Sequence, residues 1–337
     1  MNVVQIGLGP IGLGVTQTIL SRRGINLVGA VDLDPAKIGH DVGALAGGEE
    51  CGVAVSGDLD ETLARNGDVA IVTTSSRLVD VAGTIRRCID AGRHVVSTCE
   101  ELAYPWRTAP ELAAQIDTQA QSAGVTVLGT GVNPGFLMDI LPALLTGVCS
   151  HVRSIRVERF QDAGLRRKPF QAKIGAGLSV EEFRSRRDAG RIGHVGFPES
   201  IHLIADSLGW PVERVTEAIE PITATDGSCD ADHGTALGLR QLAIGYRADE
   251  PVIELELQAF IGHPDPRDTV IIRGTPDLTW TVSGGVNGDI ATCAMTVNAL
   301  AVVQRAQPGL RTMRDIPPVT WFQSLTSDRP GWPTHSG

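Results

Sequence analysis

Two adjacent glutamates, Glu100 and Glu101, follow the short apolar run His94–Ser97 and the pair Thr98-Cys99. A carboxylate placed where a strand stops can take a proton from a substrate or stabilise a cationic one. Neighbouring side chains point in different directions, so one glutamate is expected to face a cleft and the other to meet solvent or a helix N-terminus. Both serving only as helix caps is the simpler alternative. A second constellation lies near the start, where Gly7-Leu8-Gly9-Pro10-Ile11-Gly12 follows the run Val3–Ile6 and opens a helical stretch. A Gly-x-Gly-x-x-Gly run in that setting fits a dinucleotide: the first glycine makes the turn and the second admits a pyrophosphate. The third lets helix and strand pack closely. Asp32 ends the next strand, placed to accept hydrogen bonds from ribose hydroxyls. That carboxylate favours NAD over NADP; Lys37, close behind it, softens the preference and keeps NADP as an alternative.

In such a fold ligands sit beyond the carboxyl ends of the strands. Thr73-Thr74-Ser75-Ser76 and Thr98-Cys99 fall there, as does the glycine-rich loop from Gly129 to Phe136, with Asn133 at its centre. The first offers hydroxyls to a cofactor and the third can pass close to a nicotinamide. The expected cofactor contacts are therefore Gly7, Gly9, Pro10, Ile11, Gly12, Asp32, Thr73, Thr74, Ser75, Cys99 and Asn133. Each of the three later segments can also be a simple turn.

The elements that must hold these residues alternate over the first half. Strands are expected at 3–6, 26–31, 68–72, 94–97 and 125–128, and helices at 10–20, 78–91 and 110–122. Strands separated by helices of that length predict βαβ units and a parallel sheet. Beyond residue 150 the pattern changes: strands at 152–160, 215–222, 238–246, 252–260, 269–272 and 278–282, with helices at 179–187 and 198–208. Successive strands without long helices between them predict an antiparallel sheet. Ser179 with Glu182 three residues on reads as a capping box. Helical spacing returns over 289–304, and the proline-rich tail from Gln307 is expected to be irregular. The fold class is thus α/β: a Rossmann-type doubly wound parallel sheet with a second α+β domain on a largely antiparallel sheet. The expected division is 1–145 for the dinucleotide domain, with 288–337 packing back on it, and 146–287 for the substrate and dimerisation domain.

Composition sets bounds on function. The 337 residues carry 29 Lys and Arg against 39 Asp and Glu, a net charge of −10, with 42% hydrophobic residues. Acidic balance and few aromatics disfavour nucleic-acid binding. The six cysteines form no Cys-x-x-Cys pair and read as reduced thiols of a cytoplasmic protein. Neither a secretory leader nor a membrane span is expected. There is no Tyr-x-x-x-Lys pair and no metal-type histidine spacing; Cys229-Asp230-Ala231-Asp232-His233 has ligand-type residues, but consecutive loop residues rarely converge on one ion. No metal is expected. His194 either lines a substrate cleft or is a satisfied structural histidine.

The chain resembles the 2,4-diaminopentanoate dehydrogenase family and the native amine dehydrogenases, with their dihydrodipicolinate-reductase-like nucleotide domain. The residues that carry the resemblance are 7–12, 31–37, Ser97-Thr98-Cys99-Glu100-Glu101-Leu102 and Gly131-Val132-Asn133-Pro134-Gly135-Phe136-Leu137-Met138-Asp139, continued by 173–177, 193–196, Thr292 and Val297-Asn298. It implies reversible NAD(P)-dependent oxidative deamination of an amine, or reductive amination of a ketone or aldehyde with ammonia. It also implies a catalytic glutamate, carried onto Glu100 first and Glu101 second. Phe136, Arg159, Phe170, His194, Thr292 and Asn298 are the expected substrate-pocket residues, and a homodimer is the expected assembly. The alternatives are an alcohol or sugar dehydrogenase on the same architecture, which would need no ammonia, and a non-catalytic NAD-sensing protein.

Overall fold

A computed structural model describes residues 1–166, 168–223 and 234–325. These residues divide into two compact units.

The first unit comprises Met1–Leu102, Ala109–Gly131 and the chain from Asp289 onward. It begins β1 (Asn2–Ile6), α1 (Pro10–Leu20), β2 (Asn26–Val31), α2 (Val42–Leu45), β3 (Val55–Ser56), α3 (Leu59–Leu63), β4 (Val69–Val72), α4 (Leu78–Asp90) and β5 (His94–Ser97). After α5 (Pro105–Thr108), which belongs to the second unit, come α6 (Pro110–Ala123) and β6 (Thr126–Gly129). Every pairing in this sheet is parallel, and β1 lies between β2 and β4. The strand order 3-2-1-4-5-6 reverses direction of travel at β1, where a doubly wound sheet opens its ligand crevice. Strands β4 and β6 are buried throughout, as parallel strands covered on both faces must be. The amphipathic α4 buries Val81, Ile85 and Ile89, spaced four residues apart on one face.

The second unit comprises Ala103–Thr108 and Val132–Gly288. It holds α7 (Ile140–Leu145), β7 (His151–Asp162), α8 (Lys168–Lys173), α9 (Val180–Asp188), α10 (Phe197–Leu208), β8 (Arg214–Thr223), β9 (Ala236–Arg247), β10 (Glu250–Phe260), β11 (Arg267–Thr275) and β12 (Leu278–Ser283). The six strands run in the order 12-11-7-10-9-8. Only β7 and β10 pair in parallel, so the sheet is mixed but largely antiparallel. The capping box at α9 is formed on one side: Ser179 Oγ accepts the Glu182 N–H at 3.1 Å.

Two expectations change. Residues 132–145, read from the sequence with the first domain, cluster with the second, because Leu137, Met138 and Ile140 are buried there and α7 packs on α10. The tail is not wholly irregular either. After α11 (Gly288–Val303), β13 (Gly309–Arg311) adds a seventh parallel strand beside β6, anchored by the fully buried Leu310. Among the described residues no helix is long and apolar enough to cross a membrane.

Candidate active site

The glycine loop between β1 and α1 is shaped by contacts on two of its three glycines and by open space at the third. A Cβ on Gly7 would lie 2.7 Å from Thr74 Cγ2 and 3.0 Å from the Thr73 carbonyl oxygen, and its φ of +88° suits glycine alone. A Cβ on Gly12 would lie 2.0 Å from the Gly7 carbonyl oxygen. Gly9, by contrast, has nothing within 4 Å of a Cβ position. No protein atom stands against the backbone there, so a ligand has room to approach it closely. Pro10 sits at the first turn of α1, where its missing N–H costs nothing, and Ile11 follows it. Beneath the loop, the fully buried Gln5 donates through Nε2 to the Gly7 carbonyl at 2.9 Å and to Thr73 Oγ1 at 2.8 Å. Thr73 Oγ1 in turn donates to the same carbonyl at 2.8 Å. Gln5 was not foreseen; a polar residue inside an otherwise apolar strand was the available signal.

Asp32 is fixed to this loop. Its Oδ2 accepts the Leu8 N–H at 2.6 Å and its Oδ1 accepts the Asp34 N–H at 2.9 Å. Lys37 Nζ lies 3.2 Å from Oδ2. Burial alone would raise the carboxyl pKa, but these backbone donors and the ammonium together hold it below the usual value. Gly7, Gly9, Asp32, Leu33, Lys37, Asp58, Leu59, Thr73, Thr74 and Arg87 are among the residues lining one cleft of about 580 Å³. Leu33 is 82% exposed at its wall, an apolar surface beside charged groups. The residues fit an adenine dinucleotide: room at Gly9, helix N-terminus at Pro10, carboxylate at the end of β2.

The turns after β4 and β5 are tied to each other. The Cys99 thiol donates to the Ser76 carbonyl at 3.2 Å, and the Glu101 N–H donates to the same oxygen at 3.2 Å. Cys99 is 1% exposed and its thiol is pushed up to about 12, chiefly by burial. Its side chain therefore braces the turn and does not line the cleft. Ser75 Oγ donates to Asp80 at 2.8 Å within the first turn of α4. Glu101 Oε2 accepts the Leu78 N–H at 2.7 Å, at the first residue of α4, where the Arg77 side chain makes no cap bond. The two expectations for the glutamates thus separate: Glu101 caps α4, and Glu100 is half-buried beside it.

In the second unit Asn133 and His194 are brought together. His194 lies in the turn Gly193-His194-Val195-Gly196, and the buried Gln241 holds that turn by both backbone groups. Gln241 Oε1 accepts the His194 N–H and Nε2 donates to the His194 carbonyl, each at 2.7 Å. Burial drives the imidazole pKa down to about 3, with help from the Lys173 and Arg159 charges, while a hydrogen bond to the Asn133 backbone opposes. His194 is therefore neutral. Its Nε2 is buried without a partner among the described residues, so the Asn133 bond uses Nδ1–H and leaves a lone pair on Nε2. Asn133 Oδ1 is likewise buried without a partner there.

Asp139, unforeseen as a site residue, organises the Asn133–Phe136 loop. It is fully buried and accepts the Gly135 and Ile140 N–H groups at 2.6 Å each and Ser200 Oγ at 3.0 Å. Arg159 is 4% exposed, paired with Asp268 at 3.3 Å and donating to the Val286 carbonyl at 3.0 Å. Phe170 lies under the Arg166 guanidinium, 4.2 Å from its ring centre. Thr292 and Asn298 both lie on α11 but not on one face, since six residues turn a helix by about 240° beyond a full turn. Asn298 Oδ1 is buried and has no partner among the described residues. No group of three or more metal-ligand side chains converges among the described residues. The run 229–233 lies outside them.

Comparison with known proteins gives the arrangement its family. Residues 136–328 match the model of the 2,4-diaminopentanoate dehydrogenase C-terminal domain. Residues 1–99 match that of the dihydrodipicolinate reductase N-terminus. The chain is 35% identical to 2,4-diaminopentanoate dehydrogenase of Acetoanaerobium sticklandii, over 94% of this chain and 93% of that one. It is 23% identical to an amine dehydrogenase of Streptomyces virginiae, over 94% and 96%. The solved structure of an amine dehydrogenase from Mycobacterium smegmatis superposes with a TM-score of 0.83 at 28% identity, covering 96% of this chain and 98% of that one. The chain belongs to the 2,4-diaminopentanoate dehydrogenase family, oxidoreductases that act on amines.

Proposed function

We propose that the protein is an NAD(P)-dependent amine dehydrogenase, interconverting a small amine with the corresponding ketone or aldehyde and ammonia. The observation that carries this is Glu100, half-buried at the carboxyl end of β5 next to a capping Glu101, in a chain 35% identical to an enzyme of that class. In this reading Gly7, Gly9, Gly12, Pro10 and Ile11 receive the pyrophosphate, Asp32 the adenosine ribose, and Thr73, Thr74 and Ser75 flank the cofactor's path. The nicotinamide, when bound, exchanges hydride with the amine-bearing carbon.

Glu100 does the proton work. In deamination its carboxylate takes a proton from the substrate ammonium, freeing the nitrogen lone pair that expels hydride. Glu100 releases that proton to solvent, and its carboxylate then accepts a proton from the water that adds to the iminium carbon; it passes this proton to the hemiaminal nitrogen, which leaves as ammonia while the hydroxyl loses its own proton to solvent and becomes the carbonyl. In amination the same group, protonated, gives its proton to the departing hemiaminal oxygen. His194, neutral and with an Nε2 lone pair, accepts from a substrate N–H, and Asn133 Oδ1 provides a second acceptor. Phe136 and Phe170 offer the substrate apolar surface from the second unit, and Thr292 and Asn298 are the polar residues of α11 assigned to it. Arg159 acts as a positioning residue through Asp268 and Val286. The protein works as a homodimer in the reducing cytoplasm, where its thiols stay free.

The test is NAD(P)H consumption across small ketones and aldehydes with and without ammonium. Oxidation of the cofactor that needs both carbonyl and ammonium supports the reading. Turnover of a carbonyl that ignores ammonium would make the protein an alcohol dehydrogenase instead.

A further inference from the structure

Between Glu100 and α6 the chain joins the second unit for six residues, Ala103–Thr108, and then returns. This excursion starts inside the single 3₁₀ turn Glu100–Ala103, so the glutamate and the excursion share one turn of chain. The near end of that turn is held in the first unit. There the Glu101 N–H donates to the Ser76 carbonyl at 3.2 Å, and Glu101 Oε2 accepts the Leu78 N–H at 2.7 Å. The far end runs into Tyr104, which is 5% exposed. The Tyr104 hydroxyl donates to Asp206 Oδ2 on α10. Arg107, in α5, lies 3.5 Å from Asp206 Oδ1. One carboxylate thus receives this segment through both of its oxygens. A buried phenol calls for such a partner, and an ionised acceptor is the strong kind. His202, one turn earlier on α10, is held below its usual pKa chiefly by burial, so it is neutral near pH 7 and adds no second cation beside Asp206. Leu102 and Ala103, between the two anchors, are buried, and close-packed residues pass a displacement at one end of the turn to the other.

We propose that Tyr104 and Asp206 are positioning residues for Glu100, fixing the reach of its carboxylate through the turn they anchor. The proposal rests on the proton role given to Glu100 above and deepens it. A 3₁₀ turn rises about 2 Å per residue, which puts Tyr104 about 8 Å along the chain from Glu100. With the phenol bond made, the turn is fixed at both ends. With the bond lost, Ala103 and Tyr104 gain freedom that Glu100 shares, while the Glu101 cap and the dinucleotide cleft stay as they are. The carboxylate must come within hydrogen-bond reach of the amine nitrogen, and a misplacement of about 1 Å can cost about 10²-fold in rate.

The experiment measures amination of the most active carbonyl compound of the screen above, with ammonium chloride and NADH. It compares wild type, Tyr104→Phe, Asp206→Leu, Asp206→Asn, Glu100→Gln, and Tyr104→Phe combined with Glu100→Gln. Phenylalanine keeps the buried ring and removes only the hydroxyl. Tyr104→Phe should lower kcat about tenfold or more, with the NADH Kd, read by nicotinamide fluorescence, within about twofold of wild type. Asp206→Asn keeps an oxygen that accepts the phenol and should recover most of the kcat that Asp206→Leu loses. In the Glu100→Gln background, Tyr104→Phe should change kcat by less than about twofold, because the group it positions is gone. A loss of kcat by the same factor in both backgrounds would mark a general structural effect and overturns the proposal. So does an unchanged kcat in Tyr104→Phe. A screen without ammonium-dependent turnover, or a Glu100→Gln protein with full activity, overturns the proton role itself, and the proposal with it.

Discussion

Glu100 and Glu101 are neighbours with different duties, and isosteric substitution separates them. Glu100→Gln keeps size and hydrogen-bonding reach but loses charge and basicity. Turnover in amination should fall by about 10²- to 10⁴-fold, the range of general acid–base catalysis, with NADH affinity nearly intact. Glu101→Gln should act mainly on stability. It weakens the charged cap on the Leu78 N–H, a kind of interaction worth about 0.5–2 kcal/mol, and its signature is a lowered Tm with kcat changed much less. Full activity in both variants would sink the proton chemistry. His194 gives a second residue-scale expectation. Its folded pKa, about 3, lies below the ordinary value of 6.5, so the unfolded chain takes up a proton that the folded protein refuses. Stability should therefore fall as pH drops from about 6.5 toward 3, by up to about 1.4 kcal/mol per pH unit. Urea melts of wild type and His194→Gln at neutral pH and near pH 5 check this: the extra acid sensitivity should vanish in the variant. The sequence shows the glutamate pair and the histidine, but not their division of labour. That depends on α4 starting where Glu101 can reach it, and on Gln241, 47 residues away in the chain, clasping the histidine backbone.

At the scale of elements, the glycine loop makes a sharp comparison possible. Gly12→Ala would press a methyl onto the Gly7 carbonyl and the Thr73 hydroxyl, so it should lower Tm and abolish cofactor binding together. Gly9→Ala meets no protein atom, and its φ of −64° suits alanine. It should leave Tm within about a degree and still weaken NADH binding, since the added methyl occupies the space reserved for pyrophosphate. Calorimetry and a cofactor titration on the two variants read both effects. A Gly9→Ala protein with normal affinity would mean that the loop does not cradle phosphate. The loop, α1, β2 and the helix over 78–90 were legible because fingerprint and apolar period coincide there. β13 was not: three residues after a proline carry no period, and the strand exists because Leu310 fills a buried place beside β6. The Asn133–Phe136 loop was legible as a loop only. Its anchor, Asp139, reads in sequence like any N-cap, and its bond to Ser200 is a fact of tertiary packing.

For the whole molecule, the alternation of strands and helices predicts the parallel sheet, and the run of strands after residue 214 predicts the second sheet. The sequence reading returns the tail to the first domain, and only its seventh strand stays hidden, because three residues are too few to carry a period. The second sheet bears on assembly. On one face, α10 packs against β9 and β10. The other face carries exposed Thr216, Ala218, Glu220, Arg240, Thr279 and Thr281, with half-buried Leu242 and Ile244 among them. Across it Arg156 pairs with Glu158, Glu254 and Glu256, Arg240 with Glu256, and Arg267 with Glu158. A face that mixes both charge signs with apolar side chains can meet a twofold copy of itself. Light scattering should therefore give twice the chain mass of 35.6 kDa. Leu242→Glu combined with Ile244→Glu places like charges against each other at the centre of that contact. The variant should run as a folded monomer, with far-ultraviolet circular dichroism unchanged. A wild-type monomer would refute the assembly outright, and a variant that stays dimeric would move the interface to another face.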